Sequence, residues 1–379
     1  MKIGILTQPL TNNYGGIFQA YALQYVLKQL GHTPLTIDRT WSSNFSFLIK
    51  IASVINRCIK YIFISKKTII RVTPTKKEKF LIEGHFQDFI KNNINMSSTI
   101  NSSRKMNSLE KYNFDAYIVG SDQCWRPCYS PDIKNYFLDF IYNKKNIKRI
   151  SYAASFGVDN WEFSEKETLA CRSLVQKFDA VSVREDSGVN LCRKYLGVSA
   201  THVLDPTMLL RREDYMNLIA GNNFPKRENL LTIYILDSSK EKKNIIGRLS
   251  KHLNLQENNL MPEKRFKEVG YRELNKCVFM SIEEWIASFF RAKFIVTDSF
   301  HGTVFSIIFN KPFLVFDNEK RGSDRICSLL KLFDLDERIF NDTSDIEHIL
   351  NKNIDYEDIN KRLDVLREQS INFITKYIR

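Results

Sequence analysis

Apolar residues fall along this chain in two alternating textures. Short unbroken blocks read as buried strands, and longer stretches with apolar residues every three or four positions read as amphipathic helices. Lys2 to Thr7 is a block of the first kind. From about Ile17 to Leu30, Ala20, Leu23, Leu27 and Leu30 share one helical face, Gly31 supplies a stop, and Leu35 to Asp38 reads as the next strand. Ala116–Val119, Arg149–Ala154, Ala180–Val183 and Thr201–Leu204 continue the strand series. After the turn-rich run Gly221–Lys226 a second series begins at Leu231–Leu236 and reaches the strand Phe294–Thr297. An apolar helical run then extends from Thr303 to Phe309, Pro312 stops it, and Phe313–Phe316 forms another buried strand. Strands that are apolar on both faces, separated by helices, predict parallel sheets covered on both sides.

A length of 379 residues suggests two such units. The expected division is a first Rossmann-like domain over 1–222 interrupted by an insertion at about 42–110, a second over 223–350, and a C-terminal helix over 351–379 packing back on the first domain. Within the insertion, Phe47–Ile64 and Lys77–Ile90 have helical periodicity. No apolar run approaches the ~20 residues needed to span a bilayer. Seven cysteines lie scattered, and the closest pair, Cys124 and Cys128, lacks the CxxC spacing of a metal or redox site. Reduced cysteines and an opening that runs straight into a strand predict a cytoplasmic protein without a metal centre.

The net charge of +13 is concentrated. Twelve Lys or Arg against three acids between Ser42 and Lys105 give this stretch a local +9. With no nucleic-acid module recognisable and the cations interleaved with Ile, Phe and Tyr, an anionic membrane surface is the preferred partner over nucleic acid; a solvated face is the plainer alternative.

Polar and charged groups sit at the carboxyl ends of the expected strands, where open parallel sheets bind ligands. They include Asn12-Asn13-Tyr14-Gly15-Gly16, Gly120-Ser121-Asp122-Gln123, Ser155-Phe156-Gly157, Arg184-Glu185 and Asp205-Pro206-Thr207. In the second series Asp298-Ser299-Phe300-His301-Gly302 follows a strand and opens a helix, whose N-terminus suits an anion. His301 is a candidate general acid or anion-binding cation, and a histidine satisfied by core neighbours is the alternative. Asp298 could orient that imidazole, act as a base, or simply cap the helix. The loop after Phe316 carries Lys320, Arg321 and Arg325.

Six of these segments, NNYGGIFQAYAL (12–23), DAYIVGSDQCW (115–125), SYAASFG (151–157), SVREDSG (182–188), VLDPTMLL (203–210) and VTDSFHGTVFSIIFNKPFLVF (296–316), resemble in content and order the polysaccharide pyruvyl transferase family. The resemblance implies an α/β fold of two Rossmann-like domains in a GT-B-like arrangement with a cleft between them. It also implies transfer of pyruvate from phosphoenolpyruvate, a co-substrate rather than a resident cofactor, to a sugar of a surface polysaccharide or its lipid-linked precursor. On that basis His301, with Asp298, carries the chemistry, and Arg184, Ser299, Phe300, Gly302, Lys320, Arg321 and Arg325 form the donor side. Asn12, Asn13, Tyr14, Gly15, Gly16, Ser121, Asp122 and Gln123 form the acceptor side. Many members have an arginine where this chain has Ser299, and Lys320, Arg321 or Arg325 of the following loop could take its place.

The residues suit that chemistry on their own terms. Phosphoenolpyruvate presents a carboxylate and a phosphate, which call for guanidinium groups or a helix N-terminus, and protonation of its methylene carbon calls for an acid. Two other readings stand beside this one. A GT-B-like glycosyltransferase would place a nucleotide sugar's diphosphate at the same helix N-terminus, and a non-enzymatic binding module would account for Ser299 as a degenerate site.

Overall fold

The computed structural model describes residues 1–42, 51, 52, 55, 73–222, 224, 227–270, 272–318, 322–340 and 346–378. The expected helix over 47–64 and the cations Lys320 and Arg321 lie outside the described residues, apart from three helical positions at 51, 52 and 55.

In the first half, β1 (Lys2–Leu6), β2 (Thr33–Thr36), β3 (Ala116–Val119), β4 (Lys148–Ala154), β5 (Ala180–Val183) and β6 (Thr201–His202) pair in the order β2-β1-β3-β4-β5-β6, all parallel. In the second, β7 (Leu230–Tyr234), β8 (Gln256–Asn259), β9 (Ala292–Thr297), β10 (Phe313–Phe316) and β11 (Ile339–Phe340) pair in the order β11-β10-β9-β7-β8, again all parallel. This is the two-sheet α/β architecture read from the apolar blocks. Each sheet reverses its direction of growth once, between β1 and β3 and between β7 and β9. Such switch points leave a crevice beyond the strand ends, because the connections on either side leave toward opposite faces.

Helix α1 (Tyr14–Gln29) joins β1 to β2, α2 (Lys76–Asn93) lies in the insertion, and α3 (Lys240–Leu253) follows β7. Helices α4 (Ile282–Arg291), α5 (Phe300–Ile308) and α6 (Asp324–Lys331) flank β9 and β10, and α7 (Tyr356–Tyr377) ends the chain. A single apolar cluster runs through both halves, from Ile17, Phe18 and Leu23 of α1 to Trp285 and Phe289 of α4 and Val304 and Phe305 of α5. Phe18 lies 5.0 Å from Phe305 and 5.2 Å from Trp285, ring centre to ring centre, so the two sheets meet over aromatic rings rather than through a hinge of water.

Helix α7 lies against the first half. Arg367 donates to the carbonyls of Met208 and Leu210, and the Ser370 hydroxyl accepts from the Leu204 amide. The lysine stem of Lys148 reaches the carbonyl of Tyr377 at the last turn. Among the described residues no helix is long and apolar enough to cross a membrane.

Candidate active site

Both switch points open onto one cleft of about 1500 Å³ between the two sheets. Asn12 and Asn13 reach it from the loop after β1, and Asp122 and Gln123 from the loop after β3. Opposite them stand Asp298, Ser299, Phe300 and His301 after β9, with Asn318, Gly322 and Arg325 beyond β10. Two helix N-termini thus face each other across the cleft, α1 capped by Asn13 and α5 capped by Ser299. Neither has an acid in its first turn; the Asn13 side chain makes no capping bond, whereas Ser299 Oγ accepts from the Gly302 amide, so the field of both ends favours an anion in the cleft.

His301 stands between them. A β-carbon placed on Gly15 would come within 2.0 Å of its Nδ1, so the imidazole lies directly on the first turn of α1, and only a residue without a side chain admits it. Its Nε2 is buried without a hydrogen-bond partner and lies 3.8 Å from Asp205 Oδ1. Burial outweighs the pull of Asp205 and lowers the imidazole to about 4, with Arg184 acting in the same direction, so it is neutral at neutral pH.

Asp205, at the end of β6, is the carboxylate beside this histidine. It is buried, accepts from Thr207, Ser121 and Arg184, and is held down at about 2: burial is the largest influence and works against ionisation, but Arg184, His301 and the hydrogen bonds from Thr207 and Arg184 together outweigh it. Asp298 has a different task from either chemical role expected of it. Its oxygens accept from the amides of Leu236 and Asp237, from Lys242 Nζ at 2.7 Å and from Asn318 Nδ2 at 3.1 Å. It ties the loops after β7, β9 and β10 together, and Ser299, one residue on, is the helix cap. Asp205 was already in view as a strand-end acid; sequence spacing gave no reason to prefer it, because its nearness to His301 arises across 96 residues of chain.

Arg184 is placed behind the cleft wall rather than in it. Its side chain is 1% exposed, Nη1 lies 2.7 Å from Asp205 and Nη2 3.3 Å from Asp122. Two carboxylates engage its Nη1 and Nη2 behind the wall, with Nε buried and unpartnered, which is not the geometry expected of a direct donor clamp. Its guanidinium lies 4.3 Å from the centre of the Phe300 ring, and Arg325 lies 5.8 Å from the same ring. Arg325 lines the cleft, 4.0 Å from Asp122, and burial together with the Arg184 charge lowers it to about 10, still protonated at neutral pH. Of the three cations expected from the loop after β10, Arg325, on α6, is the one the described residues place on the cleft wall. A β-carbon on Gly322 would come within 1.6 Å of the Gly157 carbonyl, so the loop leading to Arg325 is docked on the first half.

Four expected acceptor-side residues, Tyr14, Gly15, Gly16 and Ser121, are not on the cleft surface. Tyr14 is buried, donates to the Met280 carbonyl at 2.7 Å and stacks on Trp285. Ser121 is buried and donates to the Ala153 carbonyl and to Asp205. Gly16 packs against Asn13, as Gly15 does against His301. On the donor side, Gly302 serves close packing: a β-carbon there would meet Thr297 Oγ1 at 2.1 Å. Among the described residues no three His, Cys, Asp or Glu side chains converge as a metal would require.

The polysaccharide pyruvyl transferase family model matches residues 13–320. The chain belongs to that family. The match takes in Gly15, Asp122, Arg184, Asp205 and His301 but stops short of Arg325 and of α7. No curated protein sequence matches the chain. Among solved structures, a UDP-GlcNAc 2-epimerase from Neisseria meningitidis bound to UDP-GlcNAc aligns with a TM-score of 0.55 at 9% identity, covering 100% of this chain and 99% of that one. The S. aureus MnaA–UDP structure gives 0.52 at 12% identity over 100% and 97%, and a putative UDP-N-acetylglucosamine 2-epimerase from Listeria monocytogenes 0.51 at 9% over 100% and 95%. At these identities the likeness is one of fold, a pair of Rossmann-like domains in the GT-B-like arrangement.

Proposed function

We propose that this member of the pyruvyl transferase family moves pyruvate from phosphoenolpyruvate to two hydroxyls of a sugar in a surface polysaccharide or its precursor, as a ketal. The observation that carries the reading is the convergence of two helix N-termini, Arg325 and an unpartnered imidazole nitrogen on one cleft. The donor's carboxylate and phosphate would be held by Arg325 and by the positive field of the two helix N-termini. Arg184, neutralised by Asp122 and Asp205, would position Phe300 and the acids rather than bind the donor.

A neutral His301 enters the reaction as a proton acceptor. It takes the proton of the first sugar hydroxyl as that oxygen bonds to the central carbon of the donor, and delivers the proton to the methylene carbon, which becomes the methyl group. The second hydroxyl then displaces phosphate, and its proton leaves with the phosphate. Donor charge beside the imidazole raises its proton affinity from the low resting value, so the acid form is generated only when the donor is bound.

The test is to incubate the purified full chain with phosphoenolpyruvate and β-galactoside or mannosamine-type acceptors. The expected products are inorganic phosphate in step with an acceptor heavier by one pyruvate less water. Turnover of a UDP-sugar in place of phosphoenolpyruvate would instead establish the glycosyltransferase reading.

A further inference from the structure

The first turns of α2 combine two things that rarely share a solvated surface. Lys76, Lys77, Phe80 and Leu81 follow one another at i, i+1, i+4 and i+5, which puts them on one side of the helix. Ile82, Phe86, Phe89 and Ile90 bury the other side. Phe80 is 66% exposed and Leu81 60%, among the most exposed large apolar side chains in the protein. Lys79 lies beside them, 59% exposed, in a loose pair with Glu83. A capping box between Thr75 and Glu78 fixes where the helix begins, so this face is presented by a defined element.

The patch adjoins the mouth of the cleft. Ile82 and Glu83, on the next turn of α2, line the cleft together with Pro74 and Trp41, and Trp41 is itself 48% exposed. Asn12 at the start of α1 donates to Glu83 at 3.0 Å, which fastens α2 to the candidate site. Ile51 and Ile55, four residues apart and both helical, are also exposed, and the whole stretch from Ser42 to Lys105 carries the local +9.

We infer that this face of α2 docks on an anionic lipid bilayer, with Phe80, Leu81 and Trp41 entering the headgroup region and the lysines beside them meeting lipid phosphates. A bilayer is the surface that rewards both features at once. Its anionic headgroups attract ammonium groups on long stems, and the acyl boundary just beneath takes up phenyl and isobutyl groups. A nucleic acid would use the cations but leave Leu81, Ile51 and Ile55 in water, and these aliphatic chains neither stack on bases nor hydrogen-bond to them. The docking holds whatever the cleft does. Its consequence, that acceptors are met at the membrane surface with the cleft mouth facing the lipid, rests on the transferase reading above.

Flotation of the full chain with vesicles tests it. Recovery with phosphatidylcholine containing phosphatidylglycerol should exceed recovery with pure phosphatidylcholine several-fold at low salt, and the excess should fall at high salt. F80S/L81S and K76E/K77E/K79E should each lower anionic-vesicle binding by roughly tenfold while melting as the wild type does, because the altered side chains are exposed. Both variants should retain turnover of a soluble sugar acceptor. Equal recovery with neutral and anionic vesicles, or wild-type binding by either variant, overturns the proposal. So does tighter binding to an RNA or DNA oligonucleotide than to the anionic vesicles at the same salt, which would mark the lysine face as a nucleic-acid surface. Vesicle binding without pyruvyl transfer would leave the docking standing and remove the transferase reading.

Discussion

Arg184 and Arg325 lie over the same phenyl ring and carry the same charge, yet removing each should have opposite kinds of consequence. Arg184→Ala would strand Asp205 as a buried carboxylate and leave Asp122 only Arg325, 4.0 Å away, a loss of about 3–5 kcal/mol, seen as a lower urea midpoint. Arg325→Ala, on the cleft wall, should leave the midpoint closer to wild type and raise the donor KM by tenfold or more. If Arg325→Ala instead unfolds the protein with an unchanged KM in the surviving fraction, the compensation for Ser299 lies elsewhere. His301 supplies a second test through pH. Its folded value of about 4 lies below the ~6.5 of an unfolded histidine, so below ~6.5 the unfolded chain takes up the proton first. Stability should therefore fall as pH drops through the window from ~6.5 to about 4, by at most about 3 kcal/mol from this residue. Urea titrations of wild type and His301→Asn at about pH 7 and about pH 5 should show a steeper fall in the wild type, the share from His32, also lowered by burial, being common to both. A parallel slope in both proteins would mean that the imidazole is not the neutral, desolvated group described. A residue's type and neighbours in sequence made His301 a candidate; whether it is charged depends on what the fold packs around it.

At the scale of the element, α1 shows how a helix can be read correctly while its purpose is missed. The apolar spacing of Ala20, Leu23 and Leu27 predicted it, but the glycines at its start were read as room for a ligand. They are room for His301 and for close capping. Gly15→Ala should favour the helix itself by up to ~1 kcal/mol, since alanine is the better helix former. The same methyl group would drive into Nδ1 and displace the imidazole. The expected result is a melting temperature near wild type with turnover lowered roughly 100-fold, as for a misplaced catalytic group. Normal turnover would show that the contact does not set the imidazole's position. The α5 cap repeats the lesson: a helix start near Phe300 was legible from the Asp-Ser-Phe-His-Gly turn. Which of Asp298 and Ser299 caps it was decided by the amides of Leu236 and Asp237, which claim the aspartate from another loop.

At the scale of the molecule, the second half is fastened to the first by aromatic packing and by the return of α7. That helix and its cap bury Ile359, Leu363, Phe373, Ile374 and Ile378. At about 1.5–3 kcal/mol for each such side chain, the five are comparable with the ~5–15 kcal/mol by which a domain is stable. A chain ending at Asp355 should accumulate in inclusion bodies, or lack a cooperative melt by circular dichroism if soluble. A cooperative melt near that of the full chain would show α7 to be an accessory. The sequence alone determined the apolar strands, though not the short β8 and β11, and with them the helices α1, α2, α5 and α7, the two-sheet class and the family, since apolar periodicity is local and six ordered motifs survive without coordinates. Tertiary structure decided the pairings: Asp205 beside His301, Gly15 against its ring, Arg184 spent on two acids, Arg325 brought over from α6. These depend on distances between residues tens to hundreds of positions apart, and in a low-dielectric cleft a few ångströms determine which carboxylate sets a histidine's charge and which guanidinium lines the cleft.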